Sequence, residues 1–164
     1  MKHTFTALTF LFLSTVTAAA ALAQDGALVK LTSEVLREVV TVDGSGTKIT
    51  QLVPATSAMP GEVLTFTVNY INEGDEEATD IVLTNPIPEH MLYEAGSAAG
   101  EGSRISYSLD GGATYGAPDS LSVTDDDGKE RGAVPSDYTH IRWQLIDPVP
   151  AGGSGRVSFK ASVK

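Results

Sequence analysis

The clearest candidates for a chemical role in this chain are clustered carboxylates near residue 125, which could bind a hard metal ion. The run Asp125-Asp126-Asp127-Gly128 is followed closely by Glu130. Ca²⁺ takes about six to eight oxygen ligands, and Asp125, Asp127 and Glu130 are the candidates here. The calcium-loop pattern D-x-[DN]-x-[DN]-G-x₅-E is incomplete, because Val123 stands where an acid would have to precede Asp125. The sequence therefore predicts a solvated acidic turn, with Ca²⁺ binding as the alternative.

Groups for acid–base or nucleophilic catalysis are sparse. Beyond residue 23 the histidines are His90 and His140. No Gly-x-Ser-x-Gly elbow, His-Glu-x-x-His pair or glycine-rich phosphate loop occurs. The sequence therefore predicts a protein without enzymatic activity, and without a cofactor unless the Ca²⁺ alternative holds.

Charge is distributed unevenly along the chain. The formal net charge is −10, which argues against nucleic acid and anionic membrane surfaces as partners. Acidic residues dominate up to Asp137, and residues 73–80 form a second acidic turn with the same two interpretations as the first. From Tyr138 onward, four basic residues stand against Asp147 alone.

Those basic residues fall in alternating positions of the last two predicted strands. Arg156, Lys160 and Lys164 share one face of the final strand, and His140 and Arg142 share one face of the strand before it. If the two strands are neighbours, the five side chains form one basic surface. It is either a solvated face that keeps a sheet edge from aggregating or an interaction surface. The latter would bind a partner, or the acidic loops of a second copy in head-to-tail assembly.

The segment from Ser108 to Tyr115 resembles the Asp-box, S-x-D-x-G-x-T-aromatic, a turn motif found in sialidase propellers and many other β proteins. The resemblance implies that Asp110 bonds turn backbone, that Gly112 takes a left-handed conformation and that Tyr115 packs beneath the hairpin, with Thr114 completing the motif. A single copy does not make a propeller, which needs several blades. A structural hairpin is the favoured interpretation, and a binding site is the other.

Strands with a period of two must position these groups. Leu28 to Val42 and Thr47 to Val53 flank an Asp-Gly turn and are read as a hairpin, although Ser33 onward also has helical spacing. Further alternating runs start at Glu62, Thr79, Arg104, Leu121, Thr139 and Arg156. Short strands separated by Gly- and Pro-rich turns predict an all-β antiparallel sandwich. In it Trp143, between Ile141 and Leu145, is expected to anchor the core.

The first 23 residues have the pattern of a secretory signal peptide. Lys2 precedes the apolar run Phe5 to Val16, and Ala21-Leu22-Ala23 offers small residues for cleavage before Gln24. The apolar run is shorter than the roughly 20 residues that span a bilayer, so no membrane insertion is expected after cleavage. One domain is predicted over residues 24–164. The signal peptide predicts a periplasmic or extracellular location. The chain contains no cysteine, which is common among bacterial envelope proteins.

A series of turn and strand-end motifs marks the middle of the chain. In order these are Pro60-Gly61, Tyr70-Ile71-Asn72-Glu73-Gly74, Asn85-Pro86-Ile87-Pro88, Leu92-Tyr93 and Gly96-Ser97. Residues 60–164 thereby resemble the conserved repeat domain of unknown function, number eleven, of bacterial surface and secreted proteins. The resemblance implies an immunoglobulin-like sandwich with no enzymatic activity, here as a single copy with an N-terminal hairpin extension.

The motifs also have a mechanical interpretation. Asn72 to Gly74 are expected to supply a positive φ angle and side-chain capping at a strand end. Pro86 and Pro88 lack amide hydrogens and are expected to end strand pairing and send the chain to the other sheet.

These observations predict an exported, non-catalytic structural or interaction module of the bacterial cell envelope. Its partner would be another envelope protein or a second copy of the chain. Two alternatives stay open. The first is an assembly or filament subunit that sets the basic face or the long hairpin against another copy, and the second is a Ca²⁺- or glycan-binding module at the acidic loops.

Overall fold

The computed structural model describes residues 28–164, whose regular structure is β-strand apart from two short 3₁₀ turns at Pro118–Ser120 and Pro135–Asp137. The predicted signal peptide, residues 1–23, lies outside the described residues. The strands are β1 Val29–Val42, β2 Lys48–Pro54, β3 Val63–Asn72, β4 Val82–Pro86, β5 Met91–Tyr93, β6 Ala99–Gly100, β7 Ser103–Ser108, β8 Ser122–Thr124, β9 Glu130–Gly132, β10 His140–Leu145 and β11 Ser154–Val163.

Two antiparallel sheets pack face to face, which confirms the predicted β-sandwich. The larger sheet has the order β2-β1-β3-β11-β5, with β6 also paired to β11, and the smaller sheet has the order β4-β10-β7. Strands β8 and β9 form a separate hairpin. Immunoglobulin-like domains share this architecture without always sharing strand order. Here the final strand, β11, lies between β3 and β5.

The core is formed by alternate residues of the central strands. Ile141 and Trp143 of β10 and Val157 and Phe159 of β11 are fully or almost fully buried, as is Leu64 of β3. The alternation read from the sequence therefore identifies the inward faces of all three strands. The indole N–H of Trp143 makes no hydrogen bond in the described part of the chain, so this side chain contributes through packing.

Prolines lie where the chain changes sheets. Pro86 is the last residue of β4, and after Pro88 the chain joins the larger sheet as β5. Between β10 and β11, Val149 forms an isolated antiparallel bridge with Ala78. Since proline cannot donate to a strand ladder, the flanking Pro148 and Pro150 break the pairing between consecutive strands.

Strand β1 is long enough to take part in two pairings, and the helical alternative for it is wrong. Val29–Arg37 pairs with β3, whereas Leu36–Val42 pairs with β2. The hairpin therefore continues past the end of β3 as a two-stranded ribbon, which we call the arm (residues 38–52). It is the N-terminal hairpin extension expected from the sequence.

Two local expectations need correction. Gly74 does not have a positive φ angle; the residue in that turn with one is Asp80, at 54°. Asn72 does cap the strand end, because its side chain is buried and accepts a hydrogen bond from the Gly74 amide at 3.0 Å. Strands β5, β6 and β9 were not expected, because they are too short to show the alternation by which strands are recognised.

Candidate functional site

The expected single basic surface is wrong, because β10 and β11 belong to different sheets. His140 and Arg142 alternate with buried residues of β10 and lie on the outer face of the smaller sheet. Arg156 and Lys160 lie on the outer face of the larger sheet, on the opposite side of the sandwich. The sequence correctly predicts that each of these side chains faces outward. The segment between β10 and β11, which contains Pro148 and Pro150, leads from one sheet to the other and so separates the two pairs of basic residues.

Two basic side chains near the end of the chain, Lys160 of β11 and Lys164, have local partners. The ammonium group of Lys160 donates a hydrogen bond to the carboxylate of Glu38 at 2.7 Å. That of Lys164 donates to the backbone carbonyl of Glu89 at 3.0 Å. The pair with Glu38 is half-exposed, so it contributes little stability, but it lies where the arm leaves the sandwich.

Arg142 is held in a defined position on the smaller sheet. Its guanidinium carbon lies 4.2 Å from the centre of the Tyr115 ring, and its Nε donates a hydrogen bond to the hydroxyl of Ser106 at 3.2 Å. Ser106 is its cross-strand neighbour on β7. The ring and the hydroxyl together fix the plane of the guanidinium.

His140 lies at the end of this face beside the Asp-box turn. Partial burial lowers the pKa of its imidazole below the usual value of 6.5, and the negative charge of Asp110 partly opposes that shift. Its Nδ1 lies 3.2 Å from the hydroxyl of Thr139. The ring is therefore more readily neutral than an exposed histidine, and it adds little positive charge to the face.

The Asp-box segment forms a tight polar turn. The carboxylate of Asp110 accepts hydrogen bonds from the hydroxyls of Ser108 and Thr114 and from the Thr114 amide, at 2.6–2.9 Å. These donors hold its pKa well below the usual range. Gly112 has a φ angle of 92° and donates its amide hydrogen to the Ser108 hydroxyl. The Asp110 carboxylate is thus held by donors of its own turn, as the Asp-box resemblance implies.

The acidic candidates for Ca²⁺ do not assemble into a site. In the β8–β9 hairpin, Asp125 pairs with Arg131 at 2.8 Å and Glu130 accepts a hydrogen bond from Ser122. Arg131 also pairs with Asp137. Within residues 28–164, no group of three or more His, Asp or Glu side chains is placed so that it could hold a metal ion. An arginine therefore neutralises Asp125, one of the three candidate ligands.

The arm carries the most exposed apolar side chains of any strand in residues 28–164. The sequence suggests the hairpin as an assembly element, but this apolar cluster was not predicted. Val40 is 58%, Val42 63% and Leu52 50% exposed. Cross-strand pairing puts them on one face, because Val40 lies opposite Thr50, Val42 opposite Lys48 and Leu52 opposite Glu38. One signal in the sequence could have identified this surface. It is the run Val39-Val40-Thr41-Val42, in which valines occupy both faces of the strand.

Both long edges of the arm are open in the described chain. Beyond Arg37, β1 pairs with β2 alone, and β2 pairs with no strand but β1. Each edge therefore presents unpaired backbone N–H and C=O groups. An isolated two-stranded hairpin is marginally stable in water, so an arm with apolar side chains and two open edges is suited to pairing with another chain.

No helix in the described part of the chain is long and apolar enough to cross a membrane. Comparisons with protein-family models, with curated proteins and with solved structures find no match to this chain, so its similarity to the repeat domain of unknown function stays a prediction from the motifs quoted above.

Proposed function

We propose that this protein is an exported, non-catalytic interaction module of the bacterial cell envelope and that its arm is the element that binds the partner. The observation that carries the proposal is the exposure of three apolar side chains, Val40, Val42 and Leu52, on one face of a ribbon with two open edges. The other positions of that face are Glu38, Lys48 and Thr50. Exposed apolar surface on a strand edge is an aggregation hazard unless another chain covers it.

Sheet extension is the mode of binding that this geometry favours. A strand of the partner would add to the Lys48–Pro54 edge through main-chain hydrogen bonds, while apolar side chains on the same face give selectivity. Pro54 has no amide hydrogen, so it limits the length of such pairing.

Site-specific photocrosslinking in the cell envelope tests the proposal. A photoreactive residue at Thr50 of the arm is compared with one at Ile146, which is 65% exposed but lies on the sandwich. The trapped partner is then purified, and its affinity is measured for the wild-type protein and for two variants. Val40→Lys combined with Leu52→Lys should weaken binding by about tenfold or more, since two apolar contacts are lost, whereas Ile146→Lys should not.

Equal crosslinking from both positions, or equal affinity of the arm variant and the Ile146→Lys control, would contradict the proposal. A second copy of this chain as the trapped partner would assign the arm to self-assembly, the alternative expected from the sequence. Cell fractionation of the same strains tests the export step, with the protein expected outside the cytoplasm.

A further inference from the structure

Two arginines on the smaller sheet lack carboxylate partners, although the chain contains 21 acidic and 11 basic residues. Arg104 and Arg142 form no ion pair within residues 28–164. Lys48, Lys129, Arg156 and Lys164 also form no ion pair in this range, whereas Lys30, Arg37, Arg131 and Lys160 each pair with an acid. Arg104 and Arg142 are of interest because both lie on the outer face of the smaller sheet.

Cross-strand register makes the two arginines neighbours. Arg142 of β10 pairs with Ser106 of β7, and Gln144 pairs with Arg104. Arg104 and Arg142 are therefore diagonal neighbours on the outer face, a relationship that corresponds to a separation of about 7–8 Å in antiparallel sheets. Arginine side chains from positions this close can reach one shared carboxylate, which would offset the repulsion between their two positive charges.

The guanidinium of Arg142 is already positioned for such a ligand. The Tyr115 ring supports its face and Ser106 accepts the hydrogen bond from its Nε, so the orientation that a ligand needs is fixed beforehand. Its terminal Nη groups have no acceptor in the described chain. They form the planar fork that binds both oxygens of a carboxylate, a geometry that lysine cannot provide.

We infer that this face, which we call the Arg142 face (Arg104, Ser106, Tyr115, Arg142), binds the carboxylates of an acidic polypeptide segment. A flat sheet surface holds a lone small acid weakly, whereas a chain with several carboxylates can reach both arginines. The negative net charge of the protein does not prevent this, because charges beyond about 8 Å are largely screened at physiological ionic strength. The site is separate from the arm, so it is independent of the proposed function.

The chain's own acidic turn supplies a suitable probe. Residues 73–80, Glu-Gly-Asp-Glu-Glu-Ala-Thr-Asp, can be made as a fluorescent peptide, with a control peptide in which every acid is replaced by its amide. Fluorescence anisotropy then measures the affinity of the folded protein for each. The acidic peptide should bind and the amide peptide should not.

Variants identify the site within the protein. Arg142→Lys keeps the charge but loses the fork and the ring contact, and it should weaken binding about tenfold, the value of one charge-assisted hydrogen bond. Arg142→Gln should weaken binding at least as much, and Arg104→Gln to a smaller extent. Arg156→Gln is the matched control, since it removes one unpaired arginine from the outer face of the opposite sheet and should leave the affinity unchanged.

Three results would overturn the inference: binding by Arg142→Lys equal to wild type, equal losses from Arg156→Gln and Arg142→Gln, or tighter binding of an acidic sugar, oligogalacturonate, than of the peptide. Side-chain NMR of the wild-type protein removes any dependence on variant folding. On titration with the acidic peptide, the Nε–H signals of Arg142 and Arg104 should shift and that of Arg156 should not. No shift, or the same shift in all three, would contradict the inference.

Discussion

Phe66 and Phe159 stack across the two central strands of the larger sheet, with ring centres 4.9 Å apart and planes 9° from parallel. They are direct cross-strand partners in the β3–β11 register. Phe159 also approaches Trp143 of the other sheet, at 6.3 Å between ring centres. This side chain therefore joins the pairing within one sheet to the packing between both.

Phe159→Ala should lower the free energy of unfolding by about 3–5 kcal/mol, because it removes a fully buried ring and leaves a cavity at the contact between the sheets. Urea denaturation followed by Trp143 fluorescence measures the change. Phe159→Leu, which retains most of the volume, should cost clearly less. Equal losses from the two variants would mean that the aromatic contacts, and not the filled volume, dominate at this position.

Asn72 should be intolerant even of its closest isostere. Its buried amide donates hydrogen bonds to the carbonyls of Glu76 at 2.7 Å and Val149 at 3.0 Å. Asn72→Asp replaces these donors with a carboxylate that faces two carbonyl oxygens, and it should cost about 2 kcal/mol or more. Chemical denaturation provides the value. Gln51→Glu, the same amide-to-carboxylate exchange at an exposed position of β2, is the control, and a similar cost there would contradict the role of burial.

Gly112→Ala should destabilise the Asp-box turn. The φ angle of 92° is unfavourable for any residue with a side chain, at a cost of about 1–2 kcal/mol. An added Cβ would also lie 3.0 Å from the Tyr115 hydroxyl. Thermal melts compare this variant with Gly132→Ala, where φ is not positive and nothing lies within 4 Å of the added atom. Equal melting temperatures of the two variants would argue against strain at Gly112.

His140 should make stability depend on pH just below neutrality. Its pKa in the folded protein is lower than 6.5 because of partial burial, so the unfolded chain binds a proton more readily than the folded one. The stability that the folded protein gains from neutral His140 is fully present above the pKa of the unfolded chain. It is lost as pH falls from about 6.5 toward the pKa of the folded protein. The free energy of unfolding should therefore decrease between about pH 7.5 and about pH 5.5.

His140→Gln should reduce that pH dependence, and His90→Gln serves as the comparison because it removes the other histidine of the described chain. Carboxylates such as Asp137, whose pKa is lowered by the guanidinium of Arg131, affect stability only at more acidic pH. The assignment to His140 would be wrong if His140→Gln and wild type had the same slope over this range.

Local alternation was sufficient to predict the fold class, most strand positions and the inward faces. It could not predict which strands are neighbours, because the face of a residue depends on its own strand whereas the partner depends on contacts far along the chain. Arg142 and Arg156 illustrate the difference: each faces outward as expected, yet on opposite sheets. The prediction of one continuous basic surface was therefore wrong, because its residues lie on two opposite faces of the sandwich.

The candidate sites also differ in how far apart along the chain their residues lie, and this decides which of them the sequence could predict. The Asp-box turn is contained within eight residues, so its motif indicated its hydrogen bonds. The support of Arg142 by Tyr115 and Ser106 joins three separate segments, and no pattern along the chain indicates it. The exposed face of the arm depends on β3 beginning opposite Arg37, so that β1 has no partner but β2 beyond that residue, and the residues of the arm do not encode this.

The position of β11 between β3 and β5 has a consequence for the order of folding. Strand β11 follows both of its neighbours along the chain, so β3 and β5 have open edges facing each other until residues 154–163 pair with them. Contacts of such large sequence separation close slowly. We therefore expect the newly made chain to pass through a long-lived state with unpaired edges, in which a chaperone has time to bind it.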